Sequence, residues 1–244
     1  MERGIYDHMA AHAATHWWYV ARRQVLADVI VRHVALPPSP RVLEIGCGTG
    51  HNLGMLARFG AVDAVELDDA ARSLASAALG RPVVAGRLPD LPVLPAEPYD
   101  LIALLDVLEH VEDDRAALTA IAARLASGGS VLVTVPQHQW MWSSHDVANH
   151  HVRRYSKAGL AEVFAASGLQ LRLVTSFNSL LFPLAVAQRL TSRLSGREGR
   201  QDDDQAAPVN ALFRAIFSLE RHLVGRVPMP PGLSLLALAT RPPG

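Results

Sequence analysis

The sequence predicts an α/β fold in which a doubly wound parallel sheet carries helices on both faces. Two observations lead there. Residues 41–45 (RVLEI) form a short apolar run that breaks at Gly46, Cys47, Gly48, Thr49 and Gly50 and resumes as a helical pattern over 51–59. Further apolar, β-compatible runs follow at 61–67, 83–85, 99–105, 130–135, 169–175 and 233–239, with helical patterns between the early ones. Strands alternating with helices call for parallel pairing, because a parallel connection must cross the sheet and a helix is its usual form.

Composition narrows the class. The 244 residues are enough for one domain with a sizeable core and an appended lobe. A hydrophobic content of 50% and a charged content of 19% suit a globular enzyme. Lys+Arg and Asp+Glu are both 23, so no net charge steers the chain to nucleic acid, and no nucleic-acid partner is expected. The eleven histidines make the charge sensitive to pH between about 5 and 8. Cys47 is the only cysteine, which rules out an internal disulfide and a thiolate zinc site. Met1 leads into Glu2 and Asp7 rather than an apolar leader, and no run reaches the roughly 18 apolar residues of a spanning helix. A cytoplasmic location is expected.

The elements follow in order. Residues 1–15 read as a flexible start and 16–35 as a helix with Trp17, Val20, Val25, Val29 and His33 on one side and Arg22 and Arg23 elsewhere. Trp17, Trp18 and Tyr19 either cap the domain or cover a substrate pocket. Pro37, Pro38 and Pro40 end the helix and lead into the first strand. After that strand, the glycines let the backbone approach a ligand and aim unpaired N–H groups at it, which makes a nucleotide-type cofactor site. Glu44, just before the turn, repels a pyrophosphate and suits a cationic amino-acid group. The third glycine of a dinucleotide fingerprint is replaced by His51, and no Gly-Lys-Ser/Thr ending is present.

The second strand ends in Glu66, sixteen residues past Gly50, where a carboxylate accepts from ribose hydroxyls. Asp68 and Asp69 cap a helix over 70–78. After the short strand 83–85, Arg87 and Leu88 are candidates to border an adenine ring, and prolines at 89, 92, 95 and 98 keep the stretch nonhelical. Strand 99–105 leads to Asp106 and Val107 at the carboxyl edge, then Glu109 and His110. A helix over 114–125 stops at Gly128 and Gly129, strand 130–135 follows, and Pro136 ends it.

Residues 137–157 (QHQWMWSSHDVANHHVRRYSK) are the densest polar stretch and follow a strand end, so they lie over the carboxyl edge. Ser156 caps a helix over 157–167, and Gly168 stops it before strand 169–175. An apolar stretch over 177–190, a polar exposed linker over 193–204 and an amphipathic helix over 211–223 make 177–231 a long insertion before the last strand.

Together these stretches resemble the class I S-adenosylmethionine-dependent methyltransferases. The matching segments are VLEIGCGTG at 42–50, VELDD at 65–69, YDLIALLDVLEHVEDD at 99–114 and GGSVLVTVP at 128–136. The resemblance covers roughly 38–176 and implies a Rossmann-like, mostly parallel seven-stranded sheet, with 233–239 as an antiparallel terminal strand. It divides the chain into an N-terminal helical cap (1–37) and a methyltransferase domain (38–244), with 177–231 on the substrate side or at an interface. It implies that Gly46, Cys47, Gly48 and Gly50 shape the loop around the methionine part of S-adenosylmethionine and that Glu44 organises its charged end. It further implies that Glu66 holds the ribose, Leu67 borders the adenine, and Asp106, Val107 and His110 lie near the donor sulfur or methionine tail. An acidic residue often found after the third-strand glycine is Arg87 here, which argues against an acidic contact to the adenine. The pairing of HWW (16–18) with HD…HHVRRY (145–155) also resembles a bacterial subgroup, and DVLEH is similar to a segment of ubiquinone-pathway O-methyltransferases.

The expected reaction is in-line attack of an acceptor oxygen on the sulfonium methyl, with S-adenosylhomocysteine leaving. A phenol or sugar hydroxyl needs a base, and histidine suits that near neutral pH. His145 beside Asp146 is the first acid–base candidate, followed by His151, His150 and His110. A carboxylate acceptor needs no base, and Arg153 or Arg154 would bind its charge. Arg153, Arg154 and Tyr155 either grip an anionic acceptor or form ion pairs in the fold. Trp140 and Trp142 either stack on a planar or sugar acceptor or close a lid. The HDxxxHH spacing matches no strong zinc pattern, magnesium through Glu109, Asp113 or Asp114 is weaker still, and no metal is assigned. Leu180, Leu181, Phe182, Leu184, Val186 and Leu190 form a local core, cap a hydrophobic substrate, make a homodimer or rest on a membrane interface. The competing functions are N- or C-methylation, an NAD-linked oxidoreductase and a non-catalytic assembly domain.

Overall fold

The computed structural model describes residues 3–94, 98–195 and 205–243. Seven strands form one sheet: β1 (Arg41–Ile45), β2 (Ala61–Glu66), β3 (Val84–Ala85), β4 (Tyr99–Leu105), β5 (Leu125–Pro136), β6 (Gln170–Phe177) and β7 (Ser234–Thr240). Their spatial order is β3-β2-β1-β4-β5-β7-β6. The β1–β2, β1–β4, β2–β3 and β4–β5 pairs are parallel, and β7 runs antiparallel to both β5 and β6. The order reverses between β1 and β4, and the carboxyl ends of these two strands open the crevice in which such sheets bind ligands.

The helices are α1 (Arg3–His12), α2 (Trp17–His33), α3 (Leu53–Leu56), α4 (Asp69–Leu79), α5 (Asp114–Arg124), α6 (Ser144–Ala148), α7 (Lys157–Ala165), α8 (Phe182–Ser195) and α9 (Ala207–Leu219). One face of the sheet packs on α2 and α9 through Val25, Leu26, Ile30, Phe177 and Phe217. The other packs on α5 and α7 through Leu118, Ile121, Leu160 and Phe164. Each fully buried side chain of this size contributes about 1.5–3 kcal/mol. No helix among the described residues is long and apolar enough to cross a membrane.

Local chemistry fixes the boundaries. Asp68 accepts from Ala71 N at the start of α4, and left-handed Gly80 closes it (φ 74°). Ser156 accepts from Gly159 N at the start of α7. Four sequence expectations are corrected. Residues 3–12 are helical rather than a loose start, because α1 packs on the glycine turn. The helix after that turn is only α3, since 46–52 are consumed in shaping the loop. Gly128 and Gly129 lie inside β5 rather than ending a helix, and the helix expected over 211–223 begins at Ala207 and ends at Leu219. Pro95 and residues 196–204 of the expected linker lie outside the described residues.

Candidate active site

One half of the crevice is built by the turn after β1. Gly46 N and Cys47 N donate to Val65 O (2.8 and 3.1 Å), tying the turn to β2. At Gly50, φ is +84° and a Cβ would lie 2.9 Å from the Ala75 backbone, so only glycine fits. Glu66 at the end of β2 accepts from Gly48 N (2.7 Å) and Asp68 N (2.9 Å), holding the loop against the strand end. Leu67 beyond it is exposed, and so is Arg87 after β3, whereas Leu88 is drawn into the core with Ile45 and Val65. Cys47 is buried in the loop, and burial beside Glu44 and Glu66 raises its thiol pKa.

Glu44 is 1% exposed. Its Oε1 accepts from Asn52 Nδ2 (2.9 Å) and its Oε2 has no partner. Burial pushes its pKa up to about 8, against the opposing Asn52 hydrogen bond and Arg22 charge. Among the groups that sequence reasoning missed, Arg22 stands out. It is 1% exposed, donates to Asp106 Oδ2 (2.6 Å) and Thr134 Oγ1 (2.7 Å), and lies over the Trp18 ring at 4.9 Å. Its only sequence signal was a charge on a helix that had to be buried. His51 lies against Tyr19 (5.1 Å between rings), and burial followed by Arg22 and Arg23 lowers its pKa to about 3. Above the loop, Met9 Sδ lies 3.5 Å from the position a Cβ on Gly48 would take. Burial beside Glu66, Asp68 and Cys47 raises the Tyr6 pKa to about 12. Both residues come from α1, where no motif marked them.

The other half is a buried charge network. Asp146, fully buried in α6, accepts from Ser143 N (2.9 Å), from Arg154 Nε (2.7 Å) and Nη2 (2.8 Å), and pairs with His151 Nδ1 (2.9 Å). These donors hold its pKa well below the usual carboxylate range despite burial. The structure thus pairs Asp146 with His151, not with its neighbour His145, whose Nε2 lies 3.2 Å from Asn149 Nδ2. Adjacent residues on a helix diverge by about 100°, whereas left-handed His150 (φ 58°) turns the chain back and returns His151 to Asp146. His150 itself is exposed.

His151 Nε2 lies 4.0 Å from Glu109 Oε1, and the His110 ring stands edge-on to His151 at 4.7 Å. Neither Glu109 carboxyl oxygen has a hydrogen-bond partner, and burial raises the Glu109 pKa well above its ordinary value. Burial and His151 lower that of His110 to about 4. Glu109, His110 and His151 each place one potential ligand atom within 4.8 Å of the others, a trio the sequence did not group.

The remaining candidates fall elsewhere. Arg153 donates to Asp114 Oδ2 (2.5 Å), and the Tyr155 hydroxyl donates to the same oxygen (2.9 Å), so these residues, like Arg154, are held by internal carboxylates. Burial and Asp114 raise the Tyr155 pKa. Trp17 packs edge-on to Phe213 and Phe217 of α9. Trp140 is exposed beside His138 and Phe182, and Trp142 is half-buried.

Comparison with known proteins matches this arrangement. The model of a methyltransferase domain family covers residues 14–174. The chain is 28% identical over 212 residues to the ubiquinone biosynthesis O-methyltransferase of Xanthomonas axonopodis pv. citri, spanning 75% of this chain and 87% of the relative. It is 30% identical over 124 residues to the trans-aconitate 2-methyltransferase of Variovorax paradoxus, spanning 50% and 48%. Coverage of the curated relatives ranges from a quarter of one to most of another. A SAM dependent methyltransferase from Archaeoglobus fulgidus has the same fold, with a TM-score of 0.55 at 14% identity over 89% of this chain and 94% of that one. The glycine turn, the acid that ends β2 and the strand order thus have one common source: the chain belongs to the methyltransferase domain family, the class I S-adenosylmethionine-dependent methyltransferases.

Proposed function

We propose that this protein transfers a methyl group from S-adenosylmethionine to an oxygen of a small-molecule acceptor, with His151 taking the acceptor's proton. The observation that carries the reading is the buried Asp146–His151 pair, whose 2.9 Å contact fixes the imidazole with Nε2 turned toward Glu109. A carboxylate bonded to Nδ1 orients the ring and stabilises the imidazolium that forms on proton uptake. Arg154 and Ser143 hold that carboxylate in turn.

The donor residues fit S-adenosylmethionine. The unpartnered Oε2 of Glu44 suits its ammonium group, and a pyrophosphate there would meet a buried carboxyl group instead of a donor. Glu66 and the glycine turn would hold the ribose and methionine part, and Leu67 would border the adenine. When bound, S-adenosylmethionine supplies an electrophilic methyl on a sulfonium. The chain's own work is to hold the acceptor oxygen in line, exclude water and receive the proton. Transfer would form the O–CH3 bond as the S–CH3 bond breaks, the electron pair leaving on the sulfur of S-adenosylhomocysteine and the acceptor proton passing to His151. N- and C-methylation remain the competing chemistries, and they differ in the product.

Exposed Leu184, Leu190, Leu212 and Leu219 of α8 and α9 are the surface on which a homodimer or a peripheral membrane contact would form. Failure to co-sediment with liposomes at low salt removes the second. A lone cysteine suits a reducing compartment, and we place the protein in the cytoplasm. The deciding experiment is calorimetry of S-adenosylmethionine, S-adenosylhomocysteine and NAD side by side, followed by an acceptor screen with labelled methyl groups. Micromolar binding of the first two with none of NAD supports the reading, and NAD binding alone overturns it. Product mass and ester lability separate O-methyl from N- or C-methyl products.

A further inference from the structure

Among the described residues, four other than glycine hold a left-handed backbone: Asp106 (φ 62°), His138 (67°), His150 (58°) and Asn178 (53°). Three of them stand just past the carboxyl ends of β4, β5 and β6, on the edge where the acceptor must lie. Side chains with a Cβ disfavour this conformation, and where it persists at a site edge it marks a position that the surroundings over-determine. Asp106 is accounted for by Arg22 and Thr134. His138 and Asn178 are not. Both amide atoms of Asn178 and Nε2 of His138 are buried without a hydrogen-bond partner. Buried polar groups are almost always paired, so an amide that is 1% exposed with neither atom satisfied calls for an explanation.

The surroundings hold Asn178 in place. Glu220 Oε1 accepts from both Ser179 N (2.6 Å) and Leu180 N (2.7 Å), fixing the turn after β6. Asn178 O accepts from Leu233 N (3.3 Å), and Leu233 O accepts from Gln137 N (2.9 Å), so Asn178 is tied through one residue to the neighbour of His138. The same turn ends in Phe182, whose N donates to Ser179 O (3.2 Å). The Phe182 ring stacks on His138 at 5.2 Å and meets Trp140 edge-on at 6.2 Å. The first turn of α8 therefore stacks Phe182 on an imidazole whose Nε2 lacks a partner, and it follows the turn whose Asn178 amide lacks two.

We propose that Asn178 and His138 form a hydrogen-bonding subsite for an uncharged hydroxyl on a planar acceptor, and that Phe182 holds the seat of the acceptor ring until it arrives. The proposal rests on the small-molecule methyl-transfer reading above. An amide and a neutral imidazole both donate and accept, which matches a hydroxyl. Burial and nearby Arg154 lower the His138 pKa and keep its ring neutral. A carboxylate or ammonium would find no opposite charge in either side chain.

The test uses two probes that differ by one hydroxyl, 4-fluorophenol and fluorobenzene, titrated into the full-length protein and followed by fluorine NMR. The wild type is expected to bind 4-fluorophenol about tenfold more tightly, because a site built to bond a hydroxyl rejects the analogue lacking it. In Asn178→Gly, which keeps the left-handed turn, and in His138→Phe, which keeps the ring, the ratio is expected to fall below about threefold. In Phe182→Ala, 4-fluorophenol is expected to bind more tightly than in the wild type, a gain that a purely structural phenylalanine would not give. S-adenosylhomocysteine affinity, read by calorimetry, stays unchanged in all three and reports that each variant is folded. Equal binding of the two probes by the wild type, no binding of either, or an unchanged ratio in Asn178→Gly overturns the subsite. Failure of the wild type to bind S-adenosylhomocysteine overturns the methyl-transfer reading instead.

Discussion

The two halves of this crevice, assigned by proposal to donor and acceptor, are built in opposite ways. The donor half is local. Gly46, Gly48 and Gly50 sit within one turn, Glu44 precedes it on the same strand, and Glu66 closes it from the next strand, eighteen residues from Gly48. The acceptor half is assembled from distant parts. Arg153 reaches Asp114 across 39 positions, Tyr155 reaches the same carboxylate across 41, and Ser179 reaches Glu220 across 41. The donor half presents backbone and one unpartnered carboxyl oxygen. The acceptor half presents imidazoles, an amide, the unpartnered Glu109 carboxyl and carboxylates engaged with arginines. A fixed cofactor allows a short, repeatable signature, and a varied acceptor is met by whatever side chains the fold brings to three strand ends.

Asp146→Asn should disable the acceptor half and leave the donor half as it is. The change leaves the shape of α6 intact but removes the charge that Arg154 and His151 share. Turnover is expected to fall about 10²–10⁴-fold, the range for loss of acid–base catalysis. The affinity for S-adenosylmethionine should stay within a factor of two or so, since no donor residue touches Asp146. Stability should drop by about 3–5 kcal/mol in urea, because a buried arginine loses its partner. A variant that keeps its turnover would take His151 out of the chemistry.

That asymmetry also decides what the sequence could reveal. The glycine turn, the strand-end acid and all seven strands were legible because each rests on contiguous residues, the central strands as short apolar runs buried on both faces. The antiparallel terminal strand came only from the family resemblance. The partner of Asp146 was not legible: His145 is nearer in sequence, yet the left-handed turn at His150 delivers His151. Arg22 was hidden for the same reason. Nothing on α2 distinguishes it from Arg23 until β4 and β5 place Asp106 and Thr134 beneath it. Residues 3–12 looked loose because their order comes from contacts with the glycine turn and from Arg23, which donates to Ala13 O (2.8 Å) at the end of α1.

Gly50→Ala breaks the other half. A methyl group at φ +84° would lie 2.9 Å from both the Leu53 Cδ1 and the Ala75 Cα, and while the leucine end can swing away the Ala75 backbone cannot. Left-handed strain and overpacking together should cost about 2–5 kcal/mol. S-adenosylhomocysteine affinity is expected to fall about 100-fold or more by calorimetry, since the loop must move off Ala75. The imidazole signals of His110 and His151 should keep their chemical shifts. If those signals move as much as the affinity falls, the two halves are not independent.

A smaller effect sharpens the role of Glu44. Its carboxyl, raised to about 8 by burial, is largely protonated at pH 7. An ammonium group placed against Oε2 favours the ionised form, so cofactor binding should release close to one proton at pH 7, and none above about pH 9. Calorimetry in two buffers of different ionisation enthalpy reads that number, and Glu44→Gln should abolish it. Without the cofactor, the stability contributions run in opposite directions. The Glu44 contribution is full below 4.5 and lost as pH rises toward 8. The contribution of His110, lowered to about 4, is full above 6.5 and lost as pH falls through that window. A wild type that releases no proton at pH 7 would remove Glu44 from the ammonium site.

The smallest effect belongs to Cys47, which lies in the donor loop. It is 1% exposed, and burial beside two carboxyls, Glu44 and Glu66, favours its neutral thiol. A thiol reacts as its thiolate, so the folded protein should resist iodoacetamide at pH 8 and be alkylated fully only in denaturant. Cys47→Ala should cost about 1 kcal/mol in urea from lost packing. S-adenosylhomocysteine affinity should change by less than about threefold if, as proposed, the loop holds the ligand through its backbone and not through this side chain. Rapid alkylation of the native protein, blocked by S-adenosylhomocysteine, would show instead that the donor loop opens without its ligand. The clear division between a preformed donor half and an acceptor half that rearranges under Phe182 would then fail at its better-ordered side.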